Sequence, residues 1–236
     1  IIPATEDSAS RSSGICPMPY ADKLKYIAGD YAEYNVGKNA DNAGFYIAYM
    51  NQLRKWLESE HSHSSVSALY AYLDKKTVMI DLINSGVIQI DSATKKLDSK
   101  IKIAGISQED AFVRFIINYP DGVSKTWEDH TLSDSFILFN SSLLGEKQLC
   151  YGSGEIVPVT YKHPAKIRNT GDKAKLISSN DESGFTYRGR FSCKEEALSV
   201  GYNYSQKIHN ALRWLAEKQG IRFDSLTLII WSSGLQ

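Results

Sequence analysis

No proline occurs between Tyr20 and Tyr119. Proline removes a backbone donor and breaks helix interiors, so this span is open to long helices, and the rest of the fold has to accommodate them. In DNAGFYIAYMNQLRKWLESE, Phe45, Tyr49, Leu53, Trp56 and Leu57 recur at helical spacing, with Asp41 placed to cap the N-terminus. In SSVSALYAYLDKKTVMIDLINSG, Val66, Leu69, Leu73, Ile80 and Ile83 fall on or near one face, and the pattern ends at Gly86. The polar EHSHS turn between them makes an antiparallel helical hairpin. The aromatic stripe on its first helix belongs to a core, where such residues usually sit.

Flanking segments read differently. Residues 1 to 20, with Pro3, Pro17 and Pro19 around a Ser-rich piece, form an irregular arm. After the hairpin, VIQID reads as a short strand and AFVRFIINYP as a central one. DHTLSDSFILFNSSLLG opens on Thr131-x-x-Asp134, close to a capping box, and reads as a helix to Gly145. QLCYGS reads as a strand. Ser192 and Glu195 form a second capping box, and Ala197, Gly201, Tyr204, Ile208, Ala211, Leu212 and Leu215 mark one face of a long helix to Gly220. SLTLIIW closes as a buried strand. The expected fold is α+β, a mixed sheet with a helical hairpin, a long packing helix and a basic loop-rich surface. It is expected to be one domain over 1–236, with an arm at 1–40, the hairpin at 41–86, and an α+β core at 87–236 carrying basic loops at 152–192.

At 236 residues the chain can bury a sizeable core. No run approaches the ~18 apolar residues of a membrane helix, so no membrane contact is expected. Three widely spaced cysteines, Cys16, Cys150 and Cys193, argue against a disulfide framework and for a reducing, cytoplasmic setting. The chain opens Ile1-Ile2 rather than with Met, and is expected to be a portion of something longer.

The 27 basic and 27 acidic residues cancel overall, so their placement carries the information. Between Thr160 and Ser192 seven Lys/Arg face three acids, a local excess of +4, among Gly171, Gly184 and Gly189. Glycine lets backbone approach a ligand, and interleaved cations supply the field. This is the composition of an anion-binding, loop-rich surface suited to a polyanion; an ordinary solvated surface has the same composition. Catalytic motifs are sparse. His61 and His63 lack carboxylate or thiol partners at metal spacing and read as a solvated turn. Cys150 and His163 could in principle form a nucleophile pair, without a recognisable surrounding signature. No Walker loop, HExxH, GxSxG or complete dinucleotide fingerprint is present. Neither catalysis nor a cofactor is expected.

An ordered set of positions resembles a known family: Cys150-x-x-x-Gly154, His163-Pro164-x-Lys166-Ile167, Gly171, the run Ala174 to Asn180, Phe185-x-Tyr187, and Asn210-Ala211-Leu212 before the strand ending at Trp231. Near the N-terminus, RSSGICPMPYADKLKYIAG adds to it. The set resembles the large subunit of type I-C CRISPR surveillance complexes (Cascade), N-terminal portion. Members of that family are usually more than twice this length. Ser179 departs from the pattern, which has an aromatic there, and Gly189-Arg190-Phe191 is more basic than the pattern. The resemblance implies a non-catalytic subunit that binds double-stranded target DNA, recognises the protospacer-adjacent motif (PAM) and assists strand opening, alongside a guide RNA–protein complex of other Cascade subunits. On that reading Lys162, Lys166, Arg168, Lys175, Arg188 and Arg190 hold phosphates. Asn169 or Asn180 reads base edges. Ser178 and Ser179 make close contacts, Arg11, Ser12 and Ser13 join from the arm, and His163 packs the loop. Two alternatives stay open: an assembly module gripping guide RNA or a neighbouring subunit, and a small Cys150/His163 hydrolase.

Overall fold

The proline-free span does fold into a helical hairpin, but its second helix is broken. The structure, a computed structural model, describes residues 2–9, 14–35, 43–98, 100–169, 171–172, 175–177 and 190–231. It divides into two compact units, Ile1–Ser8 with Ser13–Leu143, and Ala9–Ser12 with Leu144–Gln236.

In the first unit the described elements run α1 (Glu6–Ala9), β1 (Asp22–Lys23), α2 (Leu24–Ile27), α3 (Tyr31–Tyr34), α4 (Ala43–Leu57), α5 (Ser64–Leu73), α6 (Val78–Asn84), β2 (Lys102–Ile103), β3 (Ile106–Ser107), β4 (Phe112–Val113), β5 (Ile116–Tyr119), β6 (Gly122–Lys125) and α7 (His130–Leu143). Trp56 of α4 sits at the centre, fully buried. Its ring meets Phe136 edge-on at 5.1 Å and lies parallel to Phe139 at 6.1 Å. Its indole N–H donates to the His61 carbonyl and the Ser135 hydroxyl. Burying each side chain of this size contributes about 1.5–3 kcal/mol, so the aromatic stripe dominates this core.

The expected second helix ends at Leu73 and resumes at Val78. Lys76 between them takes φ 55°, which a continuous helix cannot hold. Asp30 holds the break open, its carboxylate accepting from the Met79 and Ile80 amides at 3.1 Å each and so capping α6. His63 caps α5, its Nδ1 accepting from the Ser65 amide, so this histidine of the EHSHS turn has a structural partner. The helix from His130 is present, but its cap is Asp129, which accepts from the Leu132 amide at 3.0 Å, in place of the Thr131-x-x-Asp134 box. Asp41, the expected cap of α4, lies outside the described residues.

Two expectations for this half are corrected. The arm at 1–40 is not wholly irregular: Tyr20, Ala21, Leu24, Ile27 and Ala28 are fully buried, because Tyr20 packs on Trp56 and α2 docks through its Leu24 amide on the Ala111 carbonyl. The mixed sheet is also absent among the described residues. Five separate two-stranded antiparallel pairs take its place, β1–β4, β2–β3 and β5–β6 here and two more in the second unit. AFVRFIINYP is split between β4 and β5 rather than forming one central strand, and VIQID contributes only a single bridge, Ile90 to Leu97.

In the second unit the elements are β7 (Lys147–Leu149), β8 (Ile156–Pro158), α8 (Lys194–Ala197), α9 (Tyr202–Gln219), β9 (Ile221–Phe223) and β10 (Leu226–Leu228). The long helix starts at Tyr202, not Ser192, since Leu198 to Gly201 run extended and bond back to the hairpin: the Tyr151 amide donates to the Ser199 carbonyl and the Thr160 amide to the Val200 carbonyl. Ser192 bonds Glu196 rather than Glu195. Gly201 precedes α9 and is packed closely, as a Cβ there would lie 2.7 Å from Val157 Cγ2. The buried stripe of α9 is Tyr202, Ser205, His209 and Ala216. It is rotated one residue, about 100°, from the apolar face expected. The final strand is not buried either: Leu226, Ile230 and Trp231 are each at least 60% exposed.

Candidate nucleic-acid interface

The buried polar face of α9 explains where the basic stretch is anchored. His163 is buried, and its Nδ1 lies 2.8 Å from the Ser205 hydroxyl. His209, one turn along, places its Nδ1 2.6 Å from the Ser205 carbonyl and 3.4 Å from the same hydroxyl. A carbonyl only accepts, so His209 Nδ1 carries the proton; the Ser205 hydroxyl is then free to donate to His163 Nδ1. The two imidazoles lie nearly parallel, 5.9 Å apart. Burial pushes His163 down to about 4, helped by His209 and Lys175. His209 is also lowered by burial, against the support of the Ser205 carbonyl and with Arg213 adding to the shift. Both are neutral imidazoles near neutral pH.

Arg213, a further turn along α9, donates to the Ala165 carbonyl. Burial lowers its guanidinium from the ordinary value. His163 and Ala165 are thus fixed to one helix face, while Lys162 and Lys166 on either side are exposed. Lys166 adopts φ 61°, which turns the chain between the anchored segment and Arg168.

Arg168 is held in a two-pronged contact with Asp172, Nε to Oδ2 at 2.8 Å and Nη2 to Oδ1 at 3.0 Å, and its Nη1 donates to the Ser225 carbonyl at 2.8 Å. This ion pair raises its pKa further. Asn169 accepts from the Gly171 amide through Oδ1 at 2.9 Å, closing a local turn and leaving its amide N–H groups for other partners. Lys175 is exposed, and Arg190 lies over the Phe191 ring at 5.4 Å. Arg11, Ser12, Ser178, Ser179, Asn180 and Arg188 lie outside the described residues. The structure therefore brings Lys162, Lys166, Arg168, Asn169 and Lys175 onto or beside one anchored segment of the second unit, and places His163 beneath it.

The β9–β10 hairpin adds residues that sequence reasoning missed. Arg222 donates to the Arg168 carbonyl at 3.2 Å. With Arg168, Asn169, Asp172, Asp224 and Thr227 it lines an open cleft of about 460 Å³. The turn signal Asp224-Ser225 between two apolar runs was readable in the sequence; that its Arg would fold back on Arg168 was not. Lys194 likewise lies over the Tyr161 ring, at 5.1 Å.

His163 Nδ1 is directed at Ser205. Cys150 is fully buried under the β7–β8 turn. Burial pushes its thiol up, but the Ser153 hydroxyl and the Gly201, Ser153 and Gly152 amides outweigh this and hold it below its ordinary value. No group of three or more His, Cys, Asp or Glu able to hold a metal ion occurs among the described residues, and no described helix is long and apolar enough to cross a membrane.

Comparison with known families finds a match to the family described as CRISPR-associated protein (Cas_Csd1), over residues 1–235. No curated protein matches the chain.

Proposed function

We propose, from the premise that this chain belongs to the Cas_Csd1 family of CRISPR-associated proteins, that it is a non-catalytic, DNA-facing part of a type I-C surveillance complex. On this reading it binds double-stranded target DNA, recognises the PAM and assists strand opening, while the guide RNA of its partner subunits reads the sequence. It works in the cytoplasm. The observation that carries the reading is the anchored basic segment. His163 and Ala165 are fixed on α9, and Lys162, Lys166 and Lys175 are exposed around that anchor. A pre-positioned cationic strip loses little freedom on meeting a phosphate backbone, and each neutralised phosphate releases counterions. Asn169 and Asn180 are the base-edge candidates, and Ser178, Ser179, Arg188 and Arg190 complete the proposed set of DNA-touching residues with Arg11 and Ser12.

The test is a binding titration of the whole chain across salt, using duplexes with and without candidate PAMs. Salt-sensitive binding with a PAM preference supports the reading. Binding to guide RNA or to other subunits with no response to duplex DNA at low salt moves the role to the assembly module, whose cations would serve a different partner.

A further inference from the structure

The cleft beside the anchored segment has a chemistry of its own. Arg168 uses three of its five N–H donors on Asp172 and the Ser225 carbonyl. The Asp172 side chain is only 6% exposed, so its charge is closed off by Arg168 and the pair acts as a rigid, neutral strut between the loop and the β9–β10 hairpin. Arg222 is different. It is exposed and spends one donor on the Arg168 carbonyl, leaving most of its guanidinium available.

The hairpin register determines what faces this cleft. Arg222 pairs across strands with Thr227, while Ile221 pairs with Leu228 and Phe223 with Leu226. Side chains alternate between the faces of a strand, so the hairpin is polar on the side of Arg222 and apolar on the other. The polar side meets Asn169, whose Oδ1 is occupied by the Gly171 amide and whose other side-chain polar atom, Nδ2, is a donor. A guanidinium, an amide N–H pair and the hydroxyls of Ser225 and Thr227 thus line one cavity. Oxygens of a phosphate are acceptors only and pair best with such donors. The volume lies within the ~300–1,000 Å³ range of ligand sites. Asp224, at the hairpin turn with φ 49°, is the opposing charge in the same cleft, and it weakens an anion there.

We propose that this cleft is a phosphate-binding subsite of the nucleic-acid surface, with Arg222 as a direct contact and Arg168 as a positioning residue. The proposal rests on the DNA-facing reading and extends it to the C-terminal hairpin.

The experiment measures binding of a fluorescent duplex to the whole chain over a salt series, with thermal unfolding of each variant alongside. Arg222→Gln is expected to lower the slope of log affinity against log salt by about one. Asp224→Asn is expected to tighten binding at least about twofold at low salt, since it removes a like charge from the anion's surroundings; a gain of affinity cannot arise from misfolding. Arg168→Lys keeps the charge but gives up the two-pronged geometry, so it should weaken binding as much as Arg168→Gln. An unchanged slope in Arg222→Gln, with Lys166→Gln lowering it, would overturn the subsite and leave the DNA-facing reading standing. Absence of salt-sensitive duplex binding by the unaltered chain would overturn both. If Arg168→Lys binds like the unaltered chain while Arg168→Gln does not, Arg168 is itself the phosphate contact and the positioning role is wrong.

Discussion

His163 Nδ1 and the Ser205 hydroxyl lie 2.8 Å apart, both buried, one on the basic segment and the other on α9. This bond joins the proposed DNA-facing strip to the most regular element of its unit. Ser205→Ala leaves the His163 acceptor buried without its donor, which costs about 1–3 kcal/mol. His163→Ala also opens a cavity. A double-mutant cycle read by urea unfolding should return a coupling of roughly 0.5–3 kcal/mol; strict additivity would mean the bond contributes nothing.

Acid should loosen the same anchor. His163 titrates at about 4 in the folded chain, below the ~6.5 of an unfolded histidine. The unfolded state therefore binds more protons between these values, and stability rises with pH across that window. The contribution is complete above about 6.5 and falls away toward about 4, by up to roughly 3 kcal/mol for this one group. Unfolding midpoints of the His163→Gln variant should be flatter over that interval than those of the unaltered chain.

Gly201 lies against Val157, with the Cys150 thiol beside it. Adding a methyl group puts it 2.7 Å from Val157 Cγ2, inside contact distance, and the bridge from Gly201 to Val159 limits how far the backbone can retreat. Gly201→Ala should destabilise the chain by about 1–3 kcal/mol. Gly201→Ala combined with Val157→Ala should recover part of that loss, and a thermal melt reads both.

Charge removal tests the proposed function directly. Lys162→Gln, Lys166→Gln and Lys175→Gln together should lower the salt slope of duplex binding by about two to three, at about 0.9 for each phosphate that no longer meets a lysine. The thermal midpoint should shift little, because all three side chains are exposed. An unchanged slope would take these lysines out of the interface.

The α+β class, the helical hairpin and its aromatic core were legible in the amino-acid order, because helical periodicity and the lack of proline are local properties that no other arrangement could satisfy as well. So were the basic segment and the resemblance, which the family match over residues 1–235 bears out at the level of a CRISPR-associated family. Long-range packing set the rest. A strand pattern states that residues alternate, but not which partner pairs with them, so the expected mixed sheet became separate antiparallel pairs. Apolar spacing chose the wrong face of α9 by one residue, since the Ser205 hydroxyl is buried against His163, which arrives from far along the chain, while His209 beside it donates to the Ser205 carbonyl. Arg168, read from the sequence as a phosphate ligand, is in the fold also held by Asp172 and the Ser225 carbonyl, and Arg222 gained its place beside it through the hairpin register. The pairings that decide these outcomes, His163 with Ser205, Arg168 with Ser225 and Arg222 with Arg168, join residues distant in sequence, and a distant partner leaves no local pattern to read.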